Sequence, residues 1–147
     1  MPPLNHAVLS ASSAYRWLEC PPSALATADI PDETTIYAQE GSAAHEMAEY
    51  KIRWHLGEKD LAPPNIGNFN AEEIDRYTDS YAYYATDKIE TIRKICPDTI
   101  VMVEQRLDFS NYVKDGFGTG DLVIVADDVL QVIDFKYGKG VTVSAEH

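Results

Sequence analysis

Apolar residues recur at helical spacing through the first two thirds of the chain, then switch to the two-residue alternation of strands. Ser10, Ser12 and Ser13 offer caps for a short helix from Ala14 to Glu19, which Pro21 and Pro22 stop. Ala28 to Thr35, with Pro31 among polar residues, reads as a loop. Ala44, Ala48, Ile52 and Leu56, with Met47 beside them, share a helical face. They predict a second helix from Gly41 or Ser42 to Leu56, with Gly57 as its stop. Pro63, Pro64 and Gly67 mark residues 58–69 as a loop. Asn70, with Glu73 three positions on, has the form of a capping box and opens a third helix, which Pro97 ends. Its stripe is Ile74, Tyr77, Tyr81, Tyr84, Ala85, Ile89 and Ile92. Because the tyrosines follow the helical period they are expected in the core, with base stacking as the alternative.

Beyond Pro97 the pattern predicts strands over Thr99 to Phe109, Phe117 to Ala126 and Val129 to Tyr137. Residues 110–116 form a loop, and Asp127-Asp128 suits a tight hairpin turn. The order predicts an α+β (mixed α/β) fold: N-terminal helices followed by an antiparallel three-stranded meander. A two-residue turn sets Ala126 against Val129, Val125 against Leu130 and Val123 against Val132. Continued outward, it sets Asp121 against Asp134. Strand alternation then places Lys136 on the face of Asp134, and Phe135 on the other. One face of the hairpin holds Val123, Val125, Leu130 and Val132; the other holds Leu122, Ile124, Ile133 and Phe135. A hairpin apolar on both sides is expected to be covered on both.

Composition changes this picture in three respects. With 147 residues, 45% of them hydrophobic, the chain suits one domain with its own core. Its net charge of −12 argues against coating nucleic acid through a broad basic surface. An enzyme remains compatible with that charge, because a bound divalent cation locally reverses the sign of a carboxylate cluster. No apolar run is long enough to span a membrane, and Met1 to Leu9 lacks the features of a secretion signal, so a soluble, cytoplasmic protein is expected. Cys20 and Cys96 have neither zinc-site nor redox-motif spacing and are expected as free thiols. There is no P-loop pattern, which disfavours a small-molecule phosphate enzyme. Gly116, Gly118 and Gly120 suit a flexible strand entry, or close approach of a substrate backbone.

The chemistry converges at the open end of the hairpin. Opposed carboxylates destabilise a sheet unless something compensates, and a divalent cation is the natural compensation for Asp121 and Asp134. Carboxylate-bound metal is what phosphodiester hydrolysis needs, and Lys136 can orient the attacking water or stabilise developing charge. The backbone carbonyl of Phe135 is a further candidate ligand, and Glu104 in the preceding strand is another. Alone, Asp-x-Lys on a strand also describes a solvated ion pair. Glu46 and Glu49 read as the solvated side of their helix.

Gly118-Thr119-Gly120-Asp121, followed after 12 intervening residues by Asp134-Phe135-Lys136, resembles the GxxD…DxK signature of the RecB-like branch of PD-(D/E)XK nucleases. That branch includes CRISPR-associated RecB-like exonucleases and many phage enzymes, and the likeness is nearest to a phage and prophage group within it. Glu40-Gly41-Ser42-Ala43-Ala44-His45 resembles the branch's upstream histidine motif, which implies His45 as a metal ligand. Ser10 to Ser12 and Leu18 to Pro21 resemble its opening helix. The resemblance spans about residues 7–146 and implies a single nuclease domain over 1–147 with a restriction-endonuclease-like core. It implies Asp121, Asp134 and Lys136 as catalytic residues. Mg²⁺ or Mn²⁺ would be the cofactor and DNA the substrate, in phage or prophage recombination or repair with a single-strand annealing protein as partner. The branch continues past this point with a helix carrying QxxxY and a further strand, so the chain reads as truncated, with a sheet edge open to another copy. Some relatives hold an iron–sulfur cluster. Cys20 matches the first cysteine of that set, but the other three have no counterpart, so no cluster is expected and Cys20 is expected as a packed thiol. The alternative to an enzyme is a nucleic-acid-binding or assembly module of the same fold without catalysis.

Overall fold

Helix starts and stops follow local side-chain chemistry. The computed structural model describes residues 7–10, 13–26, 30 and 35–138. Within them lie α1 (Ala14–Glu19), α2 (Pro22–Ala26), α3 (Ile36–His55) and α4 (Ala71–Ile95), then β1 (Ile100–Asp108), β2 (Phe117–Ala126) and β3 (Val129–Ile133). This is the expected α+β order. α1 has its expected bounds. Pro22 does not end helical structure but opens α2, consistent with the tolerance of proline in a first helical turn. The loop expected over Ala28 to Thr35 falls largely outside the described residues.

α3 begins earlier than its apolar pattern suggests. Thr35 caps it, its Oγ1 accepting from the Ala38 N–H at 3.1 Å, and the helix runs through Gly41. At the other end the Gly57 N–H donates to Trp54 O and the Glu58 N–H to Arg53 O, at 3.2 and 3.0 Å. These two bonds form a Schellman motif, with Gly57 at φ 109°. α4 is capped as expected, Asn70 Oδ1 accepting from the Glu73 N–H at 3.2 Å. Lys51 ties α3 to α4, donating to Thr78 Oγ1 at 2.8 Å, Asp75 Oδ1 at 2.9 Å and Asp79 Oδ1 at 2.6 Å.

The buried face of α4 is Ile74, Thr78, Ala82, Ala85 and Ile89, with Tyr81 and Ile92 partly buried beside it. Tyr77 and Tyr84 are exposed, against the expectation that they pack in the core. The helical face is narrower than the apolar stripe, and small residues hold its centre. α3 buries Ala44, Met47, Ala48 and Ile52 as its spacing predicts.

The sheet has the order β1-β2-β3. β2 and β3 pair antiparallel with Ala126 against Val129, Val125 against Leu130, Val123 against Val132 and Leu122 against Ile133. This is the predicted register, but the ladder ends there, short of Asp121 and Asp134. The physical cause is a side chain: Asp121 Oδ2 accepts the Phe135 N–H at 2.6 Å, a donor that a longer ladder would give to the main chain of β2. Leu122, Val123 and Ile124 are buried, whereas Val129, Leu130 and Val132 are exposed. Covering on both sides thus holds for the middle of β2 and not for β3, the edge strand.

The chain divides into two compact units. The larger comprises Thr34–Gln105 and Gly120–Val141; the smaller includes Met1–Glu33 and Arg106–Thr119. In the larger, one apolar cluster joins Ile52, Ala82, Ala85, Ile89, Val103, Leu122 and Ile124. A second joins Ala43, Ala44, Met47, Ala48, Ile74 and Phe135. In the smaller, Gly116 is required by packing: an added Cβ would stand 2.7 Å from the Phe109 ring and the Val113 carbonyl. Its close neighbour is therefore the chain's own loop rather than an approaching substrate backbone. Cys20 and Cys96 are free; Cys20 is exposed rather than packed, because α1 buries no residue. Among the described residues, no helix is long and apolar enough to cross a membrane.

Candidate metal centre

Three elements of the larger unit bring one chelating side chain each to a common point. His45 comes from the interior of α3, Glu104 from β1 and Asp121 from β2, and one ligand atom of each lies within 4.8 Å of the others. His45 Nδ1 is 3.6 Å from Asp121 Oδ2, too far for a hydrogen bond but close enough to share a cation. The side chain of Asp121 is 13% exposed, and that of His45 34%. The Phe135 ring packs edge-on to His45 at 5.2 Å and against Tyr81 at 4.7 Å, closing the apolar side of the cluster.

Glu104 is held there by an unusual backbone. It lies inside β1 with φ 49°, in the left-handed region that a non-glycine residue rarely adopts. A residue in that conformation breaks strand alternation and re-aims its side chain, as at a β-bulge. Arg53 braces the kink, its Nη2 donating to the Val103 carbonyl at 3.0 Å. Arg53 is itself held by Glu49 at 2.7 Å and Glu58 at 3.2 Å, so Glu49 is a structural partner rather than a solvated charge. Burial pushes the Glu104 carboxyl up to about 7; the charges of Asp121 and Glu49 add to this and Arg53 opposes it.

The placements of the sequence candidates differ. His45, Glu104 and Asp121 come together. Asp134 and Lys136 do not join them: their side chains are 54% and 71% exposed and pair with each other at 2.8 Å. The β2–β3 ladder ends at Leu122–Ile133, one pair short of Asp121 and Asp134. Phe135 contributes its N–H to Asp121, which fixes the carboxylate. Lys136 borders a recess lined by Tyr37, Glu40, Glu73, Tyr77 and Tyr137.

Sequence reasoning placed Tyr81 in the core, with base stacking as the alternative. It packs against both apolar clusters, yet its hydroxyl is buried without a hydrogen-bond partner among the described residues. Its ionisation is pushed upward by burial first, then by the charges of Asp121, Asp134 and Glu104. The signal for it, a hydroxyl within an apolar stripe, acquires meaning only once the fold places that stripe beside three carboxylates.

A profile of the family described as "Protein of unknown function (DUF2800)" matches residues 6–147. No solved structure matches the chain.

Proposed function

The chain belongs to the DUF2800 family, and we propose that it is a divalent-cation-dependent nuclease that hydrolyses DNA, with His45, Glu104 and Asp121 holding the cation. The observation that carries this reading is the convergence of those three side chains from α3, β1 and β2, with their ligand atoms within 4.8 Å of one another. The donor set fits the role. Two carboxylates suit Mg²⁺ and Mn²⁺, and the imidazole nitrogen favours Mn²⁺ over the harder Mg²⁺. The strained backbone of Glu104 supports the reading as well, since strain of this kind gathers at functional sites.

The cation supplies charge stabilisation at phosphorus and an acidified water. The chain's own residues do the rest. The Phe135 N–H orients Asp121, and the rings of Phe135 and Tyr81 exclude water from one side. Lys136 is free to turn towards a phosphate, because an exposed pair such as the one it makes with Asp134 is worth only about 0–1 kcal/mol. Asp134, whose pair with Lys136 is equally weak, would be available as a further carboxylate ligand. The likeness to phage exonucleases extends the proposal to an end-acting enzyme of phage or prophage recombination or repair, working with a single-strand annealing protein.

Incubation of linear duplex DNA with the chain and Mn²⁺ tests this directly. Cleavage is expected with Mn²⁺, to be absent with EDTA, and to be lost in Asp121→Asn and Lys136→Ala. Cleavage unchanged in both variants would sink the assignment. Cation binding without cleavage would favour the non-catalytic module.

A further inference from the structure

We infer that the recess bordered by Lys136 holds one unpaired nucleobase of the DNA substrate, with Tyr37 and Tyr77 as stacking surfaces and Glu40 and Glu73 as acceptors for its amino group. This rests on the nuclease reading given above and deepens it. The recess has a volume of about 350 Å³, within the range of small-ligand sites. Tyr37 and Glu40 reach it from α3, Glu73 and Tyr77 from α4, and Lys136 and Tyr137 from beyond β3. Two of its three tyrosines are open to solvent, Tyr37 at 75% exposed and Tyr77 at 47%. Tyr77 lies outside the buried face of α4, so helix packing does not account for its ring.

Ring geometry makes the recess a place for a flat group. The Tyr77 and Tyr137 rings have centroids 5.8 Å apart and planes crossed at 81°. Rings so crossed form a corner, in which a planar group stacked on one meets the other edge-on. Charge selects among flat groups. Ionised carboxylates only accept hydrogen bonds, which suits the amino group of a base such as cytosine and rejects a bare phosphate. Burial first, then the charges of Glu40 and Glu73, raises the ionisation of the Tyr137 hydroxyl, so both carboxylates bear on the same ring. Lys136 disfavours a free organic cation and suits the phosphate that a nucleotide carries. The amino edge of a base is open to such acceptors only when the base is unpaired. The recess is also continuous with the cation site. His45, Phe135, Tyr137 and Tyr77 form a row of rings with successive centroids 5.2, 6.3 and 5.8 Å apart, all within the larger unit.

NMR titration of short single-stranded oligo-dC and oligo-dT into the chain, in EDTA, tests the inference without metal. The two bases are alike in size, but cytosine offers an amino donor where thymine offers a carbonyl acceptor. Oligo-dC should bind at least about threefold more tightly. Tyr37→Ala and Tyr77→Ala, on different helices, should each weaken its binding by about fivefold or more, the loss of one stacked base. Glu73→Gln should remove most of the preference for oligo-dC, since an amide donates as well as accepts. Tyr83→Ala, also exposed on α4 but outside the recess, should bind like the wild type. Equal affinity for the two strands, binding untouched in both tyrosine variants, or no binding by the wild type would each overturn the base site. Mn²⁺-dependent cleavage that persists in that case would leave the nuclease reading standing. Base-selective binding without cleavage would support the recess and remove the nuclease reading.

Discussion

The two sides of the hairpin's open end contain similar residues and treat them in opposite ways. On the β2 side, Asp121 is largely buried, fixed by the Phe135 N–H at 2.6 Å and set beside His45 and Glu104. Just beyond β3, Asp134 and Lys136 extend into solvent and bond to each other. Phe135, between them, points inward and is 7% exposed. The difference teaches that one carboxylate is part of the framework before any cation arrives, whereas the other is held by an interaction weak enough to be exchanged.

The largest effect that tests this contrast is on stability. Phe135→Ala should cost about 3–5 kcal/mol, because it empties a site shared by His45, Tyr81 and Tyr137. Urea unfolding measures it, and a loss below about 1 kcal/mol would mean the inner side is not packed as described. A smaller effect concerns pH. Glu104 has its folded-state carboxyl raised from 4.5 to about 7, so the folded chain binds that proton more tightly than the unfolded one. Its contribution to stability is full below pH 4.5 and is lost as pH rises through about 7. With part of the shift discounted for solvent screening, the swing is on the order of 1–2 kcal/mol. Glu104→Gln should flatten that slope in metal-free unfolding curves; an unchanged slope would place its origin elsewhere. The smallest effect belongs to the outer side. Asp134→Ala and Lys136→Ala should each shift stability by less than about 1 kcal/mol. A larger loss in either would show that the outer pair also belongs to the framework.

Much of the fold was legible in the sequence because it is written in local chemistry. The Asn70 cap, the Gly57 stop and the Asp127-Asp128 turn each act within a few residues, and the turn alone sets the register from Ala126–Val129 to Leu122–Ile133. What escaped depends on residues far apart. The early start of α3 was hidden by Gly41, whose cost within a helix is only about 1 kcal/mol relative to alanine. The end of β3 depends on a side chain competing with the ladder, which alternation cannot express. The candidate site was legible in part for the same reason. Asp121 and His45 stood out by spacing and resemblance, and Glu104 by its place in a strand. The left-handed kink that brings Glu104 in, and the Arg53 brace across to Val103, link positions that no sequence period connects.

The difference between the two carboxylates can be measured directly by calorimetric titration of Mn²⁺ into the wild type, Asp121→Asn and Asp134→Asn. One saturable binding event is expected in the wild type. Asp121→Asn should weaken it by at least about 100-fold, more than is typical for losing an outer partner of a metal ligand, and Asp134→Asn by less than about tenfold. Binding retained in Asp121→Asn and abolished in Asp134→Asn, or no binding by the wild type, would contradict a cation centre built on His45, Glu104 and Asp121.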